Sequence, residues 1–197
     1  MKSTRQTSTT TEGGAVNPLA QEAVIVGLAR RMKEHGSWTG ETHIQKMAYL
    51  LRELMEVPFT FDFILYKHGP FSFELRDELS IMHTDRLIER ETQSRHGSRI
   101  AVTERGLEIE RRFQRTMARY EGRLEWITSR LGNRGVEDLE GLALALWVTR
   151  QMDEHSSAEE RAAAVIELQP HLSAGAATES VEQIDELIGE AAPIAYV

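Results

Sequence analysis

Phe59-Thr60-Phe61-Asp62-Phe63-Ile64-Leu65-Tyr66-Lys67-His68-Gly69-Pro70-Phe71-Ser72 is the stretch on which the fold turns. Phe59, Phe61, Phe63 and Leu65 alternate with Thr60, Asp62 and Ile64, a two-residue period that a strand delivers to one face and a helix scatters. Residues 59–66 therefore read as a strand with its aromatic face buried, each ring contributing roughly 1.5–3 kcal/mol on leaving water. His68-Gly69-Pro70 ends it, because proline removes a donor and fixes φ while glycine admits the turn. Ser72 stands where a helix cap is wanted, and Leu75, Leu79 and Met82 then mark an apolar stripe.

Upstream, Pro18 is tolerated as a first helical residue, and Leu19, Val24, Leu28 and Met32 recur at helical spacing until Gly36. Beyond Gly40, Ile44, Met47, Ala48, Leu51, Leu54 and Met55 keep to the i, i+3, i+4, i+7 pattern of a second helix buried along one face.

Downstream, Leu87-Ile88-Glu89 and Arg99-Ile100-Ala101-Val102 are short β-prone pieces bracketing a polar stretch with Arg95, His96 and Gly97. Thr103 offers a cap, and residues 104–130, free of proline, read as one long helix. Phe113, Met117, Tyr120, Leu124, Ile127 and Leu131 step through it at an average of 3.5 residues, the repeat of a helix packed on another helix. That stripe fits either the C-terminal helices of the same chain or a second subunit of a homodimer. After Gly135, Leu139, Leu142, Leu146 and Trp147 share a stripe, Ser157 with Glu160 makes a capping box, and Val181, Ile184, Leu187 and Ile188 mark a last amphipathic helix.

Helix, helix, strand, helix, strand, polar loop, strand, helix is the order of a winged helix-turn-helix domain. The fold class is thus α+β, mostly α, with residues 59–66 as the first strand, 71–83 as the helix in the recognition position and 91–98 as the wing. The three strands are expected in one small antiparallel sheet. The organisation is a disordered tail at 1–17, a winged-helix domain with a long C-terminal helix at 18–132, and an acidic helical extension at 136–197.

Ile44-Gln45-Lys46-Met47-Ala48-Tyr49-Leu50, followed after one strand by Tyr66-Lys67-His68-Gly69-Pro70-Phe71-Ser72 and then Leu75 and Leu79, resembles the helix-then-"YGP" signature of the Panacea family and the related YwgA-like proteins. The resemblance covers roughly residues 41–113. It implies a winged-helix-like domain in a non-enzymatic protein, an antitoxin or an adaptor, whose partner is a toxin, a protease or a subunit of a defence complex. The chain departs from that pattern in its long basic helix and its acidic C-terminal third.

The net charge of −8 hides a partition. Residues 136–197 carry 13 acidic groups against Arg150 and Arg161, whereas residues 86–134 hold 12 arginines and 7 acidic groups. A DNA reader needs cations on its third helix and wing. The wing offers Arg95, His96 and Arg99, but the helix presents Glu74, Asp77, Glu78 and Asp85 against Arg76 alone, which repels phosphate. Glu74, Arg76, Asp77 and Glu78 are therefore expected to meet a protein. The alternative is a dimeric regulator of double-stranded DNA using Arg95, His96 and Arg99 with Arg111, Arg112, Arg115 and Arg119 of the long helix.

Enzyme chemistry finds no foothold. The seven histidines are scattered without metal-ligand spacing, no phosphate loop or nucleophile elbow occurs, and cysteine is missing altogether. No catalytic residue, metal or cofactor is expected. The longest apolar run, Leu142 to Val148, has seven residues where a membrane helix needs about twenty, and the Ser/Thr-rich start lacks the apolar core of a secretory signal. A cytoplasmic protein is the expectation.

Overall fold

The computed structural model describes residues 17–93 and 97–195. Within them the chain forms α1 (Pro18–Glu34), α2 (Glu41–Met55), β1 (Ile64–Tyr66), β2 (Gly69–Phe71), α3 (Phe73–Thr84), β3 (Ile88–Gln93), β4 (Gly97–Val102), α4 (Glu104–Arg112), α5 (Gln114–Leu131), α6 (Val136–Gln151), α7 (Ala158–Leu168) and α8 (Ala174–Ala195). The fold is mostly helical, with small antiparallel pairs of strands. Among the described residues no helix is long and apolar enough to cross a membrane.

Local chemistry sets the helix starts. Asn17 Oδ1 accepts the Leu19 N–H at 3.0 Å ahead of Pro18, and Ser72 Oγ accepts the Leu75 N–H at 3.2 Å. Thr103 Oγ1 accepts from Gly106, and Ser157 with Glu160 completes a reciprocal capping box before α7. The expected stripe of α2 is buried throughout. Leu19 of the first stripe is instead exposed, because α1 turns its later residues, Ala23 to Ala29 and Met32, into the core on nearly every side.

The strands depart from the expectation. Only Ile64–Tyr66 of residues 59–66 joins a ladder, and its partner is β2, through Ile64 with Phe71, Leu65 with Pro70 and Tyr66 with Gly69. Phe59 and Phe61 are buried as the alternation requires, whereas Leu65 is exposed. Side chains replace the ladder over the earlier residues: Gln21 Oε1 accepts the Thr60 N–H at 2.8 Å, and Arg52 donates to the Phe61 carbonyl at 2.6 Å. Lys67-His68 is thus the turn of a hairpin, and Gly69 opens β2 at φ +86°, a conformation that costs other residues strain.

The second hairpin pairs β3 with β4 from Ile88 with Val102 to Gln93 with Gly97, longer than the two short pieces expected. A single sheet of three strands does not form. The other edge of β4 meets the segment between α1 and α2, through one bridge from Arg99 to Gly40 and a bond from the Ile100 N–H to the Thr39 carbonyl at 2.9 Å.

The expected long helix is two helices, broken at Phe113 with φ −101° and ψ 38°. No proline or glycine sits there, so the break comes from packing. It lets Glu110 of α4 and Glu121 of α5 both reach the buried Arg31 of α1, at 3.3 and 2.6 Å, while Arg30 takes Glu110 through two bonds of 3.0 and 2.8 Å.

The acidic third packs into the same core as α1 and α2. α6 is buried nearly all round, from Leu139 through Val148, and packs on α2, β2, α7 and α8. Val165 of α7 and Val181 and Ile184 of α8 belong to the same apolar cluster as α1 and α2. Arg123 locks the closure, donating to the Met55 carbonyl at 3.0 Å and to the Ala195 carbonyl at 2.7 Å.

Candidate docking surface on the first hairpin and α3

Two polar residues of α2 hold the hairpin from behind. Gln45, fully buried, donates from Nε2 to the Ser72 carbonyl at 2.8 Å and accepts the Ser72 N–H at 3.0 Å. Lys46, 2% exposed, donates from Nζ to the Pro70 carbonyl at 2.8 Å. Burial pushes the Lys46 ammonium down to about 8, with Glu140 opposing that shift. Residues 44–50 of α2 and the turn segment 66–72 therefore meet through hydrogen bonds.

Pinned this way, the hairpin turns apolar groups outward. Ile64 is 47% exposed, Tyr66 45%, and Leu65 and Phe73 37% each. Tyr66, Phe71 and Phe73 form a ring cluster with centroids 5.2–5.8 Å apart, two of the three contacts edge-on. Arg76 lies over the Phe73 ring at 5.0 Å and Lys67 near the Tyr66 ring at 5.8 Å. Ile81, two turns beyond Phe73 on α3, is exposed as well. Exposed rings in mutual contact with charged neighbours are a form that a protein contact takes.

The outer edge of β1 adds a backbone element. In an antiparallel ladder, pairs that exchange both hydrogen bonds alternate with pairs that exchange none. Pro70 has no N–H, so Leu65 with Pro70 is a pair of the second kind, and the Leu65 N–H and carbonyl face away from β2. The Pro70 carbonyl faces the opposite way, which is where Lys46 takes it. Among the described residues no backbone hydrogen bond outside the hairpin involves Leu65.

The four candidate residues of α3 sit around this surface. Glu74 folds back to accept the Asp62 N–H at 2.8 Å, and Arg76 donates to Asp77 at 2.8 and 3.0 Å. Glu78 turns toward the buried Glu22 of α1. Burial and the neighbouring Glu78 carboxylate push Glu22 up to about 7, and burial raises Glu78 as well. The acidity of α3, the expected obstacle to DNA, is thus partly internal, and what faces outward beside it is an aromatic cluster flanked by Arg76 and Lys67.

The arginines are dispersed. Arg99 donates to Glu91 at 2.6 Å across the second hairpin, and Arg111 to Glu104 at 2.8 Å. Arg112, Arg115 and Arg119 are exposed, Arg119 lying 5.7 Å from the Tyr120 ring. Arg95 and His96 lie outside the described residues. The stripe of Met117, Tyr120, Leu124, Ile127 and Leu131 is buried within the chain, with Phe113 partly so, and α5 packs chiefly on α1 and α2. It faces neither solvent nor the C-terminal helices alone.

Sequence reasoning passed over Tyr66, Phe71 and Phe73 as a group. The signal was a two-residue turn, Lys67-His68, followed by a glycine. Once that is read as a hairpin it brings positions 66, 71 and 73 onto one side. No protein-family model matches the chain, and no curated protein matches it.

Proposed function

We propose that the chain is a non-enzymatic, winged-helix-type interaction module. It binds an extended segment of a partner protein along the outer edge of β1, with apolar side chains of that segment on Tyr66, Phe71 and Phe73. The observation that carries the reading is an unpaired strand edge at Leu65 lying beside an exposed aromatic cluster. Strand addition uses such an edge for affinity and adjacent apolar positions for specificity. An exposed apolar edge strand is otherwise a liability in a soluble protein.

The winged-helix element of the reading is supported by α1 to α3 followed by the β3–β4 hairpin, with Thr39 and Gly40 beside β4. The Panacea-like resemblance enters here too, supported by the contacts of Gln45 and Lys46 with Ser72 and Pro70. Through it the partner is a toxin, a protease or a defence-complex subunit, and the setting is the cytoplasm. The arginines that favour DNA are Arg112, Arg115 and Arg119, for which no carboxylate partner occurs among the described residues.

The test uses the full chain as bait for proteins of its source cell, beside a Tyr66→Ser/Phe73→Ser double variant, with each captured protein then titrated in purified form. A partner whose affinity falls at least about tenfold in the double variant supports the reading. Equal affinity for both, or micromolar binding of unrelated duplex DNA that weakens steeply with salt, overturns it.

A further inference from the structure

The start of α2 presents a second, separate feature. Gly40 is its N-cap residue and supplies no side-chain cap, while the first helical bond runs from the Ile44 N–H to the Gly40 carbonyl at 3.1 Å. The Glu41, Thr42 and His43 N–H groups therefore precede the helical ladder, the arrangement that leaves donors and positive dipole at a helix start. A cavity of about 310 Å³ lies against this turn, lined among others by Trp38, Thr42, His43, Arg90, Ser98 and Ile100.

His43 is the independent observation. It is 5% exposed, its Nδ1 is buried, and among the described residues that atom has no hydrogen-bond partner. An orphaned buried ring nitrogen is a cost that native structures rarely leave standing. His43 and Gly40 both line the cavity, and a β-carbon on Gly40 would lie 3.5 Å from His43 Nδ1 and 3.3 Å from Trp38 Cδ1. Burial holds the imidazole below its usual range, so the ring is neutral at neutral pH and its Nδ1 is free to carry the donor proton. Thr42 and Ser98 add hydroxyl groups, and Arg90 adds a guanidinium. Glu41 also lines the cavity, its carboxylate 3.3 Å from Arg90. It is the group an incoming anion would have to share Arg90 with.

We propose that this cavity is a binding site for a small phosphate ester, its oxygens on the Glu41 to His43 amides, His43 Nδ1 and Arg90, and its organic part against Trp38 and Ile100. Donors at a helix start, a cation and an unsatisfied ring nitrogen converge on acceptor oxygens, and that is what phosphate offers. The volume stands at the small end of ligand sites, which limits the ester to about the size of a nucleoside monophosphate. The site is independent of the hairpin surface. Its floor is the start of α2 and its wall is β4, which the Gly40–Arg99 bridge ties to the segment just before α2.

The experiment is a titration of the full, isotope-labelled chain with adenosine monophosphate, inorganic phosphate and adenosine at constant ionic strength, following backbone amides and the His43 ring nitrogens by NMR. Saturable shifts at Glu41, Thr42, His43 and His43 Nδ1 are expected with the two phosphates and not with adenosine. Tighter binding of adenosine monophosphate than of phosphate assigns the organic part to Trp38 and Ile100, and equal binding overturns that part of the assignment. A Gly40→Asp variant places a carboxylate at the N-cap, where its side chain takes the same donors. Binding at least about tenfold weaker in that variant, with its fold intact by thermal melting, is the expected result. Arg90→Gln keeps the test readable should Gly40→Asp fold poorly, and it too is expected to weaken binding. Shifts that are absent, that follow chloride equally, or that persist unchanged in both variants overturn the proposal.

Discussion

Lys46 Nζ donates to the Pro70 carbonyl at 2.8 Å, so a lysine buried in the core holds the strand that backs the exposed aromatic cluster. The ammonium retains a donor role there at the expense of hydration, and the competition between the two sets its proton affinity.

That competition has a measurable sign. The folded-state pKa of Lys46 is about 8 against an ordinary 10.5, so between those values the native state binds fewer protons than the unfolded chain. Stability therefore rises with pH across that window. Urea unfolding of the wild type is expected to gain on the order of 2 kcal/mol from pH 8 to 10.5 relative to Lys46→Met, which lacks the titrating group. Parallel pH profiles for the two proteins contradict this.

Glu22 works in the opposite sense. Its folded-state pKa is raised from 4.5 to about 7 by burial and by Glu78, so the native state binds more protons than the unfolded chain between those values. Stability is fully present below about pH 4.5 and is lost as pH rises through 7. Glu22→Gln keeps the size and removes the charge. It is expected to flatten that decline and to exceed the wild type by about 1–2 kcal/mol at pH 8 in denaturant unfolding, with little difference at pH 4.5.

Gln45→Ala removes both hydrogen bonds to Ser72, leaving the buried Ser72 N–H without its partner while the carbonyl keeps only the Arg76 N–H at 3.2 Å. A loss of about 2–4 kcal/mol is expected in urea unfolding at neutral pH. Ser72→Ala removes only the cap on Leu75, and about 1 kcal/mol is expected. Equal losses would show that the Gln45 bonds are not what fixes the start of α3.

Gly69→Ala tests the bend itself. At φ +86° a side chain meets backbone strain, and the new β-carbon would lie 3.6 Å from Leu144 Cβ, in ordinary contact. The cost is expected from the backbone alone, about 1–2 kcal/mol, read as a lowered melting temperature with the helical circular dichroism signal retained. A melting temperature unchanged from wild type contradicts it.

How much of this was legible in the sequence differs by element. Helices declare themselves because their stripe is a property of neighbouring residues. Ile44 through Met55 needed no tertiary information, and neither did the caps at Ser72, Thr103 and Ser157. The strands needed more. The alternation from Phe59 to Phe63 correctly placed Phe59 and Phe61 inside, but burial does not say where the backbone groups go. Gln21 and Arg52, 39 and 9 residues away along the chain from Thr60 and Phe61, took the bonds that a ladder would have made. The break at Phe113 is equally non-local, since it answers to Arg31 on α1. Charge counting was sound as arithmetic, yet it could not tell that Glu74 would fold back on Asp62 or that Asp77 would pair with its neighbour Arg76. The candidate surface stayed hidden because its residues belong to three different pieces of the sequence pattern.

The central claim is that the outer edge of β1 receives an extended segment of another protein. Its most direct measurement is amide hydrogen exchange at Leu65 in the full chain, alone and with peptides selected against it from a random library. Slowing of the Leu65 amide by at least about tenfold, lost together with peptide binding in Tyr66→Ser/Phe73→Ser, is the predicted result. Selected peptides that bind tightly while the Leu65 amide exchanges at its free rate would contradict the account.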